Sequence, residues 1–521
     1  MTKTIKYPVG IQNFEKLRSM GFVYVDKTMY IKKLADSPTH YFLGRPRRFG
    51  KSLLLSTIHA YFEGKRDLFE GLAISKIEEK WEEYPVIHID FTGRNYSDSD
   101  SLVSKLSSTF EELEKKYNCP LPDKSVDERF EKIIRNAYEK TGKKVVILID
   151  EYDKPLLDTF KQPELQDKFR NILRGVYGNL KGMDAYIQFA MLTGVTRFGK
   201  LSIFSDTNNL KDISMMQEYS GICGITSEEL HTYFEEGVRR LAADRNCTTG
   251  EAYEILKTNY DGYHFTEKCT PDIYNPFSLL NALQNLTIDD YWFETGTPRH
   301  LIDLIKEKRI NLQDLENREE PKSTVKNVAF NLDTSLIPVL YQSGYLTIKG
   351  YDDETDMLRL GYPNEEVRKG FLLYLMDGYF PKSDRKSWTD IVAFYRDIKS
   401  GDVDSFMRRL QSMYADFNSE GFNFINLEQH YQDVAYLVFR LLGCIASVEY
   451  RSATGRIDMV IKMPDYIYIF EFKRNSSAQT ALEQIDSKNY MIPFQSDGRK
   501  VIKIGANFSD EIKGLQNWIF E

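Results

Sequence analysis

The chain has 521 residues, more than one hydrophobic core serves, so roughly two to four domains are expected. Apolar residues make up 42% and charged residues 28%, proportions of a folded globular protein that exclude wholesale disorder. The net charge of −8 supplies no global basic field for nucleic acid or anionic lipid, so any nucleic-acid contact must come from a local groove.

The opening segment MTKTIKYPVGIQNF lacks the apolar core of a signal peptide. The longest apolar runs, such as 145–149, have the length of a strand and fall far below the roughly 20 residues needed to cross a bilayer. The five cysteines are scattered without a CxxC pair, and the seven histidines show no HExxH. A cytoplasmic chain in a reducing compartment is expected, with no membrane partner, disulfide framework or zinc site.

From about residue 24 to 210, short β-rich runs (41–43, 86–91, 145–149 and 186–192) alternate with amphipathic helices. That pattern predicts an α/β domain with a mostly parallel sheet. Phe130, Ile133, Ile134, Ala137 and Tyr138 form one helical stripe, closed by Gly142. The charge run 111–116 reads as a solvated helix face.

The first run leads into Gly44-Arg-Pro-Arg-Arg-Phe-Gly50-Lys51-Ser52 and then an apolar helix. A strand, a loop and GK[ST] at a helix start form a phosphate-binding loop, in which backbone N–H groups and the helix dipole attract the anion. Gly50 lets the backbone approach the phosphates, Lys51 reaches the β- and γ-phosphates, and Ser52 is a Mg²⁺ ligand. Arg45, Arg48, Phe49 and Leu53 complete the candidate nucleotide contacts, although Arg47 and Arg48 serve equally as partners of nearby acids. The first glycine of the usual GxxxxGK[ST] spacing is displaced, because position 45 is arginine and the glycine falls one residue earlier.

The strand 145–149 ends in Asp150-Glu151. There Asp150 would hold the Mg²⁺ shell and Glu151 would orient or deprotonate the attacking water. The strand 186–192 ends in Thr193-Gly-Val-Thr-Arg197, where Thr193 and Arg197 are candidates for sensing the γ-phosphate.

From about 225 to 308 the pattern turns helical and aromatic, with YDGYHF, YNPFS and YWFETGTP. Core packing explains these rings better than base stacking. A helix and then a hairpin, 345–349 with 357–360, give a winged-helix-like piece.

Near the end, GRIDMVIKMPDYIYIFEFK (455–473) holds two apolar runs around Pro464-Asp465, which reads as a β-hairpin. Centring its turn between those two residues places Asp458 opposite Glu471, with Lys473 on the same face. Two carboxylates so close in an apolar sheet require a cation between them, and Mg²⁺ suits oxygen ligands. The Phe472 carbonyl is a candidate third ligand, and Lys473 would orient or activate water and stabilise charge on a phosphate. On the preceding helix, Glu428 is a candidate extra ligand.

FVYVDKTMYI (22–31), GRPRRFGKSLLLST (44–57), VVILIDEYDKPL (145–156), MLTGVTRFGKLSIFS (191–205) and the middle-region motifs together resemble the bacterial AAA-ATPase-like proteins. These are P-loop proteins whose usual partner domain is a PD-(D/E)XK nuclease-superfamily module. The D-x(12)-E-x-K spacing resembles that module's core, and Gln484 and Tyr490 resemble its accessory residues, at a longer spacing than the usual QxxxY. The resemblance makes Arg45 a family trait. It implies an α/β architecture with a P-loop domain over 1–220, a helical and winged-helix-like region over 221–385, and a nuclease-like domain over 386–521. The expected function is ATP binding and hydrolysis coupled to a Mg²⁺-dependent nuclease acting on DNA. The alternative is an ATP-dependent switch that binds nucleic acid without cutting. A homo-oligomer is left open.

Overall fold

The computed structural model describes residues 6–37, 39–197, 210–294, 315–326, 336–379, 387–415, 445–452, 455–512 and 514–521. The chain divides into two compact units, Met1–Gly296 with Asn317–Val367, and Thr297–Glu316 with Arg368–Glu521.

In the first unit, β1 (His40–Gly44), β2 (Val86–Asp90), β3 (Val145–Asp150), β4 (Ile187–Gly194) and β5 (Leu210–Asp212) form a parallel sheet in the order β2-β3-β4-β1-β5. The uninterrupted VVILID of β3 is buried at every position, as a strand covered on both faces requires. Because β4 lies between β3 and β1, the loops after all three strands emerge side by side at the carboxyl edge. That edge is where open α/β sheets bind ligands.

The helix Val126–Thr141 buries Phe130, Ile133, Ile134 and Ala137, and Gly142 ends it at φ 67°. Tyr138 departs from the expected stripe. It is exposed and packs edge-on against Tyr186, 5.2 Å between ring centroids. The charge run on the preceding helix, Ser101–Tyr117, also departs from a fully solvated face. Glu114 turns inward and takes Arg129 Nε at 2.7 Å, both side chains being buried.

Three helices, Ser227–Asp244, Thr249–Tyr260 and Pro276–Asn285, pack around Phe234, Leu256 and Leu283, and Tyr7 from the N-terminal segment joins this core. The short strands β6 (Ile225–Thr226) and β7 (Ile273–Tyr274) pair beside it. The expected hairpin is β9 (Thr347–Asp352) with β10 (Met357–Gly361), and β8 (Arg318–Pro321) adds a third antiparallel strand.

The second unit holds β11 (Ile445–Ser452), β12 (Gly455–Lys462), β13 (Tyr466–Arg474), β14 (Lys500–Ser509) and β15 (Gly514–Phe520), hydrogen-bonded in chain order. Only β13 and β14 run parallel, and the helix Ala478–Ser487 connects them. Gly505 on β14 makes the close approach of that helix feasible, since a Cβ there would lie 2.3 Å from the Ala478 carbonyl oxygen. Among the described residues, no helix is long and apolar enough to cross a membrane, and Cys119, Cys223, Cys247 and Cys269 are free thiols.

Candidate functional site

The loop after β1 turns into the helix Lys51–Phe62 through Gly50, which adopts φ 95° and is exposed. Lys51 is buried, and its Nζ donates to the carbonyls of Arg45 (3.0 Å) and Pro46 (3.1 Å). The same ammonium lies 3.4 Å from Glu151 Oε1. Glu151 itself sits at φ 52°, a left-handed conformation that a glutamate adopts at a cost and that turns the chain sharply off β3.

Asp150, at the tip of β3, is buried and accepts from Thr193 Oγ1 at 2.5 Å. The Ser52 hydroxyl bonds to the same carboxylate. Burial raises the Asp150 pKa, and the Ser52 and Thr193 hydrogen bonds oppose that shift. Ser52, Asp150 and Thr193, which come from three different segments, therefore meet at one point, with Lys51 and Glu151 as a second pair.

Arg45, Arg48 and Arg197 go elsewhere. The Arg45 guanidinium is buried, stacks 4.0 Å from the Phe265 ring centroid and donates to the carbonyls of Gly44 (2.9 Å), Ser214 (2.7 Å) and Tyr219 (3.1 Å). Arg48 is exposed and lies over the Phe277 ring at 5.0 Å. Arg197 pairs with Asp212 at 3.1 Å, while its backbone N–H donates to Gln342. Leu53 is half-buried one turn into the helix.

Several residues that organise this site escape sequence reading. Asp153 is fully buried, and its Oδ2 accepts from the backbone of Val195 (3.0 Å) and Thr196 (2.6 Å) and from the Thr196 hydroxyl (2.7 Å). It thereby ties the end of β4 to the turn after β3. Burial, and next the charge of Glu151, raise its pKa. Between them lies Gly194, where a Cβ would fall 2.5 Å from Asp153 Oδ1 and 2.6 Å from the Tyr152 ring.

Tyr263, Phe265 and Trp292 of the aromatic segments are buried and brace the loop from the helical side. Phe49 packs edge-on against Tyr263 (4.8 Å) and Phe265 (5.6 Å), and its carbonyl accepts from Gly224 at 3.1 Å. Trp292 Nε1 donates to the Arg47 carbonyl at 3.2 Å. Glu366 in turn holds the Trp292 backbone N–H (2.7 Å) and Ser278 (2.9 Å), and burial pushes its carboxyl up to about 8. The YDGYHF and YWFETGTP motifs were the available signal for this brace, but no local pattern says what the rings pack against.

In the second unit, the register Met459↔Phe470 through Lys462↔Ile467 extends by one step to Asp458 facing Glu471. The ladder ends at Met459↔Phe470, and beyond it Asp458 Oδ2 takes the Phe472 backbone N–H at 2.7 Å. Glu471 is 2% exposed on a face shared with Ile467 and Ile469, both fully buried. Its Oε1 accepts from Lys473 at 3.1 Å and from Gln484, while its Oε2 is buried without a partner. Burial, and next the charge of Asp458, push the Glu471 carboxyl up to about 7.

Lys473 also donates to Gln484 Oε1 at 2.7 Å, and the Tyr490 hydroxyl donates to the Arg456 carbonyl at 2.8 Å. Two facing carboxylates, one with a bare buried oxygen, fit a hard divalent metal, which would relieve their repulsion where a retained proton on Glu471 does so in its absence. Glu428 lies outside the described residues.

A parallel α/β unit with a P-loop, followed by a mixed sheet bearing paired acids and a lysine, defines an ATPase-like protein fused to a nuclease-superfamily fold. Residues 8–204 match the family model described as "Predicted AAA-ATPase", and residues 426–518 match that described as "PD-(D/E)XK nuclease superfamily". Over 528 positions the chain is 33% identical to the "Uncharacterized protein in vnfD 5'region" of Azotobacter chroococcum mcd 1, spanning 99% of each chain. The chain belongs to the AAA-ATPase-like family with a C-terminal PD-(D/E)XK nuclease-superfamily domain.

Proposed function

We propose that this protein binds and hydrolyses ATP at its P-loop and that its C-terminal domain is a Mg²⁺-dependent nuclease acting on DNA. The observation that carries the reading is the convergence of Lys51 with Glu151 and of Ser52 and Thr193 with Asp150, at the carboxyl ends of three neighbouring strands. In this reading Lys51 exchanges its loop carbonyls and Glu151 for the β- and γ-phosphates. Glu151, released, orients and deprotonates the attacking water. Thr193 reports the γ-phosphate through its hydrogen bond to Asp150. Arg45 and Phe49 act on the nucleotide indirectly by fixing the curve of the loop.

Ser52 and Asp150 would hold Mg²⁺ at the P-loop, and Asp458, Glu471 and the Phe472 carbonyl would hold it in the second unit, joined by Glu428. The ion supplies neutralisation of phosphate charge at the first site and acidification of a bound water at the second. Lys473 stabilises the negative charge that develops on the scissile phosphate, and Gln484 keeps its ammonium in place.

Mg²⁺-dependent phosphate release that disappears in Lys51→Ala is expected. So is plasmid cleavage that disappears in Lys473→Ala while ATP binding persists. The net charge of −8 favours a second reading, a switch that binds ATP and does not cut. Wild-type protein that binds ATP yet releases no phosphate and nicks no plasmid would establish it.

A further inference from the structure

Glu366 is 2% exposed and sits at the start of the helix Glu365–Tyr379. Asn364 fixes that start: its Oδ1 accepts from the Val367 N–H at 3.1 Å, and its Nδ2 donates to the Asp261 carbonyl at 2.8 Å. Two donors reach the Glu366 carboxyl, the Trp292 backbone N–H at 2.7 Å and the Ser278 hydroxyl at 2.9 Å, and both bond to Oε1. Oε2 is buried without a partner among the described residues.

That asymmetry is the pattern of a carboxylic acid. An ionised carboxylate accepts at both oxygens, whereas a protonated one needs donors chiefly at its carbonyl oxygen. An unpaired hydroxyl proton in the interior costs less than an unpaired charge. The surroundings favour the same form. Burial raises the Glu366 pKa to about 8, the Trp292 and Ser278 hydrogen bonds oppose that shift, and the charges of Asp290 and Asp289 add to it. The phenols of Tyr260 and Tyr263 also feel its charge. On its own helix the charged neighbours in sequence are Glu365 and Arg368.

We propose that Glu366 is a positioning residue that works in its uncharged form, fixing Trp292 against the P-loop so that loss of the Glu366 proton weakens ATP. The path is short. Oε1 holds the Trp292 backbone, and Trp292 Nε1 donates to the Arg47 carbonyl at 3.2 Å. The two preceding carbonyls of the same loop, Arg45 and Pro46, are those that hold Lys51 Nζ. Ionisation buries a charge, and turning the carboxylate toward solvent or a new donor relieves it at the expense of the bond to Trp292. The proposal rests on the ATP reading of the P-loop and adds a proton-linked control to it.

Equilibrium ATP binding by the full-length protein as a function of pH tests this, with Glu366→Gln as a variant that stays uncharged throughout. Between about pH 7 and about pH 9.5, wild-type affinity is expected to fall by about tenfold, while Glu366→Gln stays level. By reciprocity, ATP then raises the Glu366 pKa by about one unit, so calorimetry near pH 8 should register proton uptake by the wild type and none by Glu366→Gln. Trp292→Phe keeps the backbone bond to Glu366 and deletes the Nε1–H donor. It is expected to weaken ATP by about three- to tenfold and to flatten the profile, and it decides the matter where Glu366→Gln does not fold. In the nucleotide-free chain, tryptophan fluorescence should change with a midpoint of about 8 in the wild type and in neither variant. Protein that binds ATP with one pH profile in wild type and Glu366→Gln overturns the role of Glu366 and leaves the ATP reading standing. Protein that shows the fluorescence change but binds no ATP at any pH overturns the ATP reading and the control of it, while the tie between Glu366 and Trp292 survives. A wild type without that change overturns the tie itself.

Discussion

Lys51 Nζ and Glu151 Oε1 stand 3.4 Å apart, so the cation that would grip phosphate and the carboxylate that would act on water hold each other. Glu151→Gln leaves Lys51 its two carbonyl partners while removing the base. ATP binding should therefore be retained or improved, and hydrolysis should fall by about 10²–10⁴-fold. Equilibrium ATP binding measured alongside phosphate release separates the two effects. A Gln variant that hydrolyses at the wild-type rate would remove Glu151 from the reaction.

Asp153 is a structural tie with a readable cost. Asp153→Ala strips an acceptor from two buried backbone N–H groups and one hydroxyl. A loss of about 2–4 kcal/mol is expected for leaving such groups unpaired. Urea unfolding of the full chain, followed at the transition of the first unit, measures it. Because the tie holds the strand that bears Thr193, hydrolysis should fall even at temperatures where the variant stays folded.

Glu471 sets a pH dependence with a defined sign. Its carboxyl releases a proton near 4.5 in the unfolded chain but keeps it to about 7 in the folded one. The metal-free domain therefore loses stability as pH rises through that interval. A cation must displace the retained proton, so its affinity should rise by about tenfold per pH unit toward 7 and level off above it. Calorimetric titration with Mn²⁺ across that range checks the slope, and an affinity indifferent to pH would contradict the assignment of Glu471 as a ligand.

Gln484 touches both Glu471 and Lys473. Its removal leaves each of them free to reorient. Gln484→Ala should weaken Mn²⁺ by about 10–100-fold, the usual effect of losing a residue that orients a ligand. Gln484→Glu puts a third carboxylate beside Glu471, so Mn²⁺ should bind while the Glu471 proton is held to still higher pH. Equal Mn²⁺ affinity in Gln484→Ala and wild type would show that Gln484 orients nothing.

The parallel sheet and the terminal hairpin could be read from the chain because their signals are local. The run 145–150 is apolar without alternation and ends in two acids. Pro464-Asp465 marks a turn whose centre fixes the pairing of every residue on either side. The partners of those residues are not local, and the sequence is silent about them. Arg45 finds its acceptor at Ser214, 169 positions away, and the Arg47 carbonyl finds Trp292, 245 positions away. Gly505 reads as an ordinary strand glycine until the helix Ala478–Ser487 is laid across it. Tyr138 kept the helical spacing of its neighbours but lies at the margin of the stripe, where a hydroxyl-bearing ring gains more from Tyr186 and solvent than from the interior.

The Arg45 anchor reverses an obvious engineering intuition. Writing glycine at that position would restore the common spelling of the motif, yet it would delete a strut that reaches three main-chain oxygens and lies flat on Phe265. Arg45→Gly is expected to lower stability by about 2–3 kcal/mol in thermal or urea melts and to weaken ATP, as the turn trades an outside scaffold for free rotation. A motif repaired on paper would be a slacker one in the folded molecule, and searches that insist on the conventional spelling pass such chains by.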